Sequence, residues 1–258
     1  MAMMGASVGT VERLTAAAAA ERVASIRRLV AERFDRQVFQ HPFMRALEAG
    51  TLSRERVRGF VVNHYTFALE INTVKALAYH RLLPFLKRHP AIYDLIVEQL
   101  ADELTHPGPG GHIRMKVPLL KAFGSSEAEA ADYVLIPEAR ALVDCRVRLY
   151  LEGPMAEAYA TSLSEQQVGE WFGRWYTALT RHYGLTPAQA VYFHTHHEAD
   201  TQEHDSGTAH GTVNARIVEA CLIDGYRPER PGYTLESAAT LSIDLYELFM
   251  DGVLKRYP

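Results

Sequence analysis

From about residue 54 to residue 83 the chain carries one long segment that is apolar on nearly every side, with Phe60, Phe67, Val74 and Leu77 repeating at helical steps. Such a helix is stable only when other helices surround it, which points to an all-α bundle. The rest of the sequence supplies the neighbours. Residues 12–34 have helical periodicity through Val23, Ile26, Leu29 and Val30, and 38–47 form a second piece that ends at Gly50. Residues 91–106 follow, stopped by Pro107-Gly108-Pro109-Gly110-Gly111, and then a short helix over 113–123 closed by Gly124. Ser126 and Glu129 form a capping box for a helix running toward Leu151, kinked at Pro137. After Gly153-Pro154 a turn opens at Met155, and Ser164 with Gln167 caps an aromatic-rich helix over 168–182. A linker over 227–232 leads to an amphipathic helix over about 234–255. Nowhere do alternating residues bounded by tight turns suggest a sheet. The expectation is a single all-α domain over 1–258, about seven helices, with residues 1–20 loosely attached.

Composition narrows the function. Among 258 residues, 27 are basic and 31 acidic, for a net charge of −4, and no Lys/Arg block stands out, so nucleic acid is not an expected partner. No run approaches the ~20 apolar residues of a membrane span, and no basic start precedes an apolar leader. Two cysteines, Cys145 and Cys221, cannot build a disulfide framework, which fits a reducing cytoplasm.

The chemistry concentrates in the segment from Tyr192 to His204, with His194, His196, His197, Asp200 and Glu203 between them. Thr186 with Gln189, and Pro187 at the first helical position, read as the start of a helix through it. At about 100° per residue, His196, Asp200, Glu203 and His204 then share one face, while His194 and Glu198 point away. A solvated surface helix rarely spends four histidines in eleven residues, so this face reads as metal-ligating.

Other helices add donors of the same kind. Glu70 falls on the inward stripe between Phe67 and Val74, where a carboxylate needs an Arg or Lys partner or a metal. Glu103 and His106 continue the stripe of Ile92, Ile96 and Leu100, and Glu-x-x-His on an inward face lets one helix give two ligands to an ion. Glu157 lies in a small apolar setting, with Glu138 and Glu152 as rivals; His112, just after the Pro-Gly turn, reads as solvated. So many oxygen and nitrogen donors without thiolate exceed the needs of one zinc and suit two iron or manganese ions bridged by carboxylates.

In this order, Glu70, Glu103-Leu-Thr-His106, Glu157 and Tyr192-Phe193-His194-Thr195-His196 through Asp200 resemble the haem-oxygenase-like non-haem diiron oxidases and oxygenases. The likeness runs from about His41 to the end. His41-Pro42-Phe43 through Asn63, and Glu157 through Glu165, also look like pyrroloquinoline-quinone synthase, which selects Glu157 over its rivals. One departure concerns the last ligand: the family's final His is replaced by Glu203, with His204 one residue later, and both stay candidates. The resemblance implies two ferrous ions with manganese as the substitute, dioxygen and a small amine- or carboxylate-bearing substrate, and a homodimer. Two other readings stand beside it: a metal-free enzyme of the same fold, quinone-forming or thiaminase-like, the latter needing a cavity cysteine; and a non-catalytic interaction protein.

Overall fold

The computed structural model describes residues 11–201, 209–230 and 232–258. The helices are α1 (Ala16–Phe34), α2 (Pro42–Glu48), α3 (Arg54–Leu86), α4 (Pro90–Thr105), α5 (Gly111–Arg114), α6 (Lys116–Ala122) and α7 (Glu127–Ala131), with a π-helical turn over Asp35–Phe39 between α1 and α2. They continue with α8 (Pro137–Leu151), α9 (Met155–Ala160), α10 (Glu165–His182), α11 (Val191–Thr201), α12 (His210–Asp224) and α13 (Leu235–Arg256). Among the described residues there is no strand, only an isolated bridge between Glu12 and Tyr226. No described helix is long and apolar enough to cross a membrane.

The all-α class is as expected, but the helices outnumber seven because prolines and glycines cut the expected segments. Pro137 does not kink a helix; it opens α8 at the first helical position, and the residues before it leave the helical region, as the residue preceding a proline tends to. The Ser126–Glu129 capping box forms as read and holds the short α7. The Thr186–Gln189 box also forms, with bonds of 2.9 and 3.3 Å, but it closes a turn, and α11 starts only at Val191. Helix α12 had no expected start; Gly225, at φ 115°, ends it.

Helix α3 is the axis. From Val57 to Ala68 nearly every side chain is buried, and beyond that only the seam Ile71, Val74, Ala78 and Leu82 and the terminal pair Phe85 and Leu86 stay inside. Leu77 is 63% exposed and Glu70 lies on the flank of the seam, about 100° round from Ile71. Around α3, the rings of Phe60 and Trp175 stack at 4.3 Å, Phe60 and Phe249 at 4.9 Å, and Trp175 and Phe193 at 5.2 Å, which joins α3, α10, α11 and α13. Within residues 11–20, Thr15 caps α1, and Ala19 is fully buried where α1 meets α12 and α13. Helices α10 and α11 lie especially close: a Cβ on Gly169 would stand 2.7 Å from the Asp200 Cβ. That approach sets Asp200 against the wall of the cavity described next.

Candidate metal centre

Glu103, near the end of α4, is 8% exposed on the inward stripe Ile92, Ile96, Gln99. One turn on, Pro107 ends the helix, and Gly111 packs so tightly on α4 that a Cβ there would come within 2.0 Å of the Glu103 carbonyl oxygen. Its φ of 57° suits glycine for the same turn. The next residue, His112, is thereby laid over Glu103, its Nδ1 3.5 Å from Oε2. From α11, His196 brings Nε2 to 3.9 Å from Oε1, and the His112 and His196 rings stand 4.6 Å apart. The three donor atoms lie within 4.8 Å of one another, all in buried residues.

Glu103 and His196 are oriented from behind. Asn72 donates to Glu103 Oε2 at 2.8 Å. His196 Nδ1 is 3.0 Å from the Tyr192 carbonyl, which can only accept, so Nδ1 carries the proton and Nε2 presents its lone pair. Burial lowers the His196 pKa to about 3, so the ring is neutral. Burial works against the Glu103 charge, yet His112, His196 and Lys75 together hold its pKa well below the usual value.

A second trio, Glu165, Asp200 and His210, also fits within 4.8 Å. Asp200 follows His196 by one helical turn; Glu165 is the first residue of α10 and His210 the first of α12. His210 Nδ1 is 3.2 Å from Asp200 Oδ1, and its Nε2 is 3.8 Å from Asp102. Burial alone would lower the His210 pKa, but the two carboxylates raise it to about 10. Burial raises Asp200 to about 6. Asn214 donates to Glu165 Oε2 at 2.5 Å, and Lys75 reaches Oε1 at 3.4 Å.

Glu103, His196, Glu165, Asp200 and His210 line one cavity of about 70 Å³, whose apolar walls include Phe67, Ile71, Val168, Trp171 and Phe172. Neither cysteine is there: Cys221 lines a separate pocket, and burial pushes both thiols up.

Of the sequence candidates, the structure brings Glu103, His196 and Asp200 to this cavity. Glu70 does not reach it; Arg140 holds it bidentately at 2.7 and 2.9 Å on the rim. His106 is exposed, because the helix ends at Thr105 and its extended backbone breaks the three-residue relation to Glu103. Glu157 is fully buried as its setting suggested, but it accepts from the Tyr226 hydroxyl and the Glu229 N–H, both at 2.8 Å, and anchors the linker between α12 and α13. Glu203 and His204 lie outside the described residues. The sequence reading missed His112, Glu165 and His210, each at or beside a helix start.

The donors fit iron or manganese: three carboxylates and three imidazoles, without thiolate. One observation bears on this directly: His112 Nδ1, which faces Glu103 Oε2 at 3.5 Å, is a buried nitrogen with no hydrogen-bond partner among the described residues, and an ion would engage it.

Residues 30–204 match the TENA/THI-4/PQQC family. A pyrroloquinoline-quinone synthase of Granulibacter bethesdensis is 32% identical over 146 residues, 56% of this chain and 54% of that protein, so the likeness spans about half of the relative. A TenA homologue from Pseudomonas syringae pv. tomato superposes with a TM-score of 0.66 at 16% identity, over 96% of this chain and 98% of that one. A domain of unknown function with a haem-oxygenase-like fold from Shewanella denitrificans gives 0.64 at 15% identity, over 90% and 92%. These structures show that the fold is haem-oxygenase-like.

Proposed function

The chain belongs to the TENA/THI-4/PQQC family, and from that premise we propose that its cavity is a non-haem diiron centre, with manganese as the alternative metal, where dioxygen oxidises a small amine- or carboxylate-bearing molecule. The observation that carries this reading is a pair of nitrogen and oxygen trios, five of whose six residues line one cavity. Glu103, His112 and His196 would hold one ion, and Glu165, Asp200 and His210 the other. When bound, ferrous ions supply the electrons and open coordination positions that dioxygen requires.

The protein's own contribution is positioning. Asn72 and Asn214 fix Glu103 and Glu165, and the Tyr192 carbonyl keeps the His196 proton on Nδ1. Phe172 and Trp171 give the cavity apolar walls. Behind it, Lys116 Nζ contacts His64 Nδ1 at 2.5 Å and donates to the His64 carbonyl at 2.8 Å, and burial holds the Lys116 pKa well below the usual lysine value.

The test is dioxygen uptake and visible absorption after anaerobic loading with ferrous iron, in wild type and Glu103→Gln. The proposal expects rapid uptake with a transient absorption in wild type and neither in the variant. Uptake no faster than that of free iron refutes it.

A second reading, a metal-free oxidase like pyrroloquinoline-quinone synthase, draws on charge: Lys75, Arg146 and protonated His210 offset Glu103, Glu165 and Asp200 without any ion. It expects turnover to survive exhaustive chelation, where the diiron reading expects its loss.

A further inference from the structure

We propose that Arg146 is the seat for a carboxylate of the substrate, so that the cavity accepts small organic acids. The inference rests on this cavity being the substrate site. Arg146 lies on α8, is 5% exposed and lines the cavity. Its guanidinium donates to the Tyr246 hydroxyl at 3.1 Å and to Ser162 Oγ at 2.5 Å, both neutral acceptors, and its Nε is buried with no hydrogen-bond partner among the described residues.

The other cationic groups of the cavity are matched. Lys75 has Glu165 at 3.4 Å, and His210 has Asp200 at 3.2 Å. Lys116, just behind, can relieve its burial by releasing its proton, which burial makes easier by lowering its pKa. A guanidinium has no such escape, because it keeps its charge at any ordinary pH. Among the described residues no carboxylate is hydrogen-bonded to it: its direct partners are hydroxyls, and Glu165, which favours its charge from farther off, is engaged by Lys75. Tyr246 and Ser162, the latter also in contact with the Tyr150 hydroxyl at 3.2 Å, fix the guanidinium plane and leave three of its five N–H groups, Nε among them, for a bidentate oxygen pair.

Charge and size specify the ligand. Glu103, Glu165 and Asp200 share the cavity and disfavour a dianion such as phosphate, whereas a single carboxylate is matched by one guanidinium. About 70 Å³ holds roughly five water-sized positions, which suits the acid end of a small molecule.

The test uses the metal-free protein, so that its outcome does not depend on iron. Trp171 lines the cavity and Trp175 is the one other tryptophan, so intrinsic fluorescence reports binding. Acetate, butyrate and hexanoate are titrated against their primary amides and against inorganic phosphate. The expected result is saturable binding of the acids, with the amides and phosphate at least about tenfold weaker. Arg146→Met loses about tenfold or more for the acids and nothing for the amides. Arg146→Lys, which keeps the charge and so tests the seat even if the Met variant does not fold, loses about three- to tenfold because the two-pronged geometry is gone. Acids and amides binding alike, phosphate binding better than the acids, or acid affinity unchanged in both variants overturns the proposal. Acid binding that requires Arg146 in a protein that never takes up iron leaves this inference standing while the diiron reading falls.

Discussion

Replacing Glu165 with Gln probes how the charged wall of the cavity is held together. Lys75 and Glu165 have side chains only 11% and 13% exposed, and their charged atoms are 3.4 Å apart. Burial disfavours the Lys75 ammonium, and Glu165 is the largest influence that overrides burial and raises its pKa. Glu165→Gln keeps the shape and strands that ammonium. Removing one partner of a buried pair costs about 3–5 kcal/mol, and the long contact places this one near 3 kcal/mol. For a chain of this size that lowers Tm by roughly 6–12 °C. The assay is urea unfolding of the chelator-treated protein at pH 7, with Lys75→Met and the double variant completing a cycle. The pH is suitable: a lysine raised in the folded state gives its full stabilisation below its unfolded value of 10.5 and loses it only as pH climbs through the folded value. The double variant should recover most of the loss, with a coupling of about 2 kcal/mol. A coupling under about 0.5 kcal/mol and an unchanged Tm would refute the pairing.

Two further perturbations follow from the same geometry. Burial drives the Lys116 pKa well below 10.5, so the unfolded chain binds the proton more readily and wild-type stability from this group rises with pH up to 10.5. Lys116→Met should therefore be the more stable protein at pH 7, its advantage shrinking by at most roughly 3 kcal/mol at pH 9.5; a gap that does not change with pH contradicts the lowered pKa. In Gly169→Ala the added methyl meets Asp200 and the Thr201 Cγ2 at 2.7 and 2.8 Å, so α11 must move off α10. Overpacking of this sort costs about 1–3 kcal/mol by thermal melting, and iron titration should show weakened binding at the Asp200 trio; an unshifted melt would show that the helices accommodate it freely.

The all-α class was legible because helical periodicity runs through the chain and nothing alternates as a strand would. The helix count was not, since whether Pro137 kinks a helix or opens one depends on the turn before it. In the cavity, His196 and Asp200 were legible as partners because a four-residue step on a continuous helix fixes their common direction. His106 was read with Glu103 on the same rule, but Pro107 ends the helix and removes the regular backbone the rule needs. What brings His112 instead is the fit of Gly111 against the Glu103 carbonyl, a tertiary contact that helical spacing does not encode. The glycine pair directly before a histidine was the available signal. For Glu157 burial was readable and its partner was not, because the Tyr226 hydroxyl comes from a linker far along the chain. Glu70 misled by a single helical position, falling beside the buried seam at Ile71 and within reach of Arg140.

The most direct measurement is iron content after anaerobic equilibrium dialysis, compared across wild type, His112→Ala and Glu70→Gln. The proposed centre predicts about two irons per chain in wild type, unchanged in Glu70→Gln, whose carboxylate is committed to Arg140 on the rim, and about one or fewer in His112→Ala. Iron lost in Glu70→Gln but retained in His112→Ala, or no iron in wild type, would contradict it.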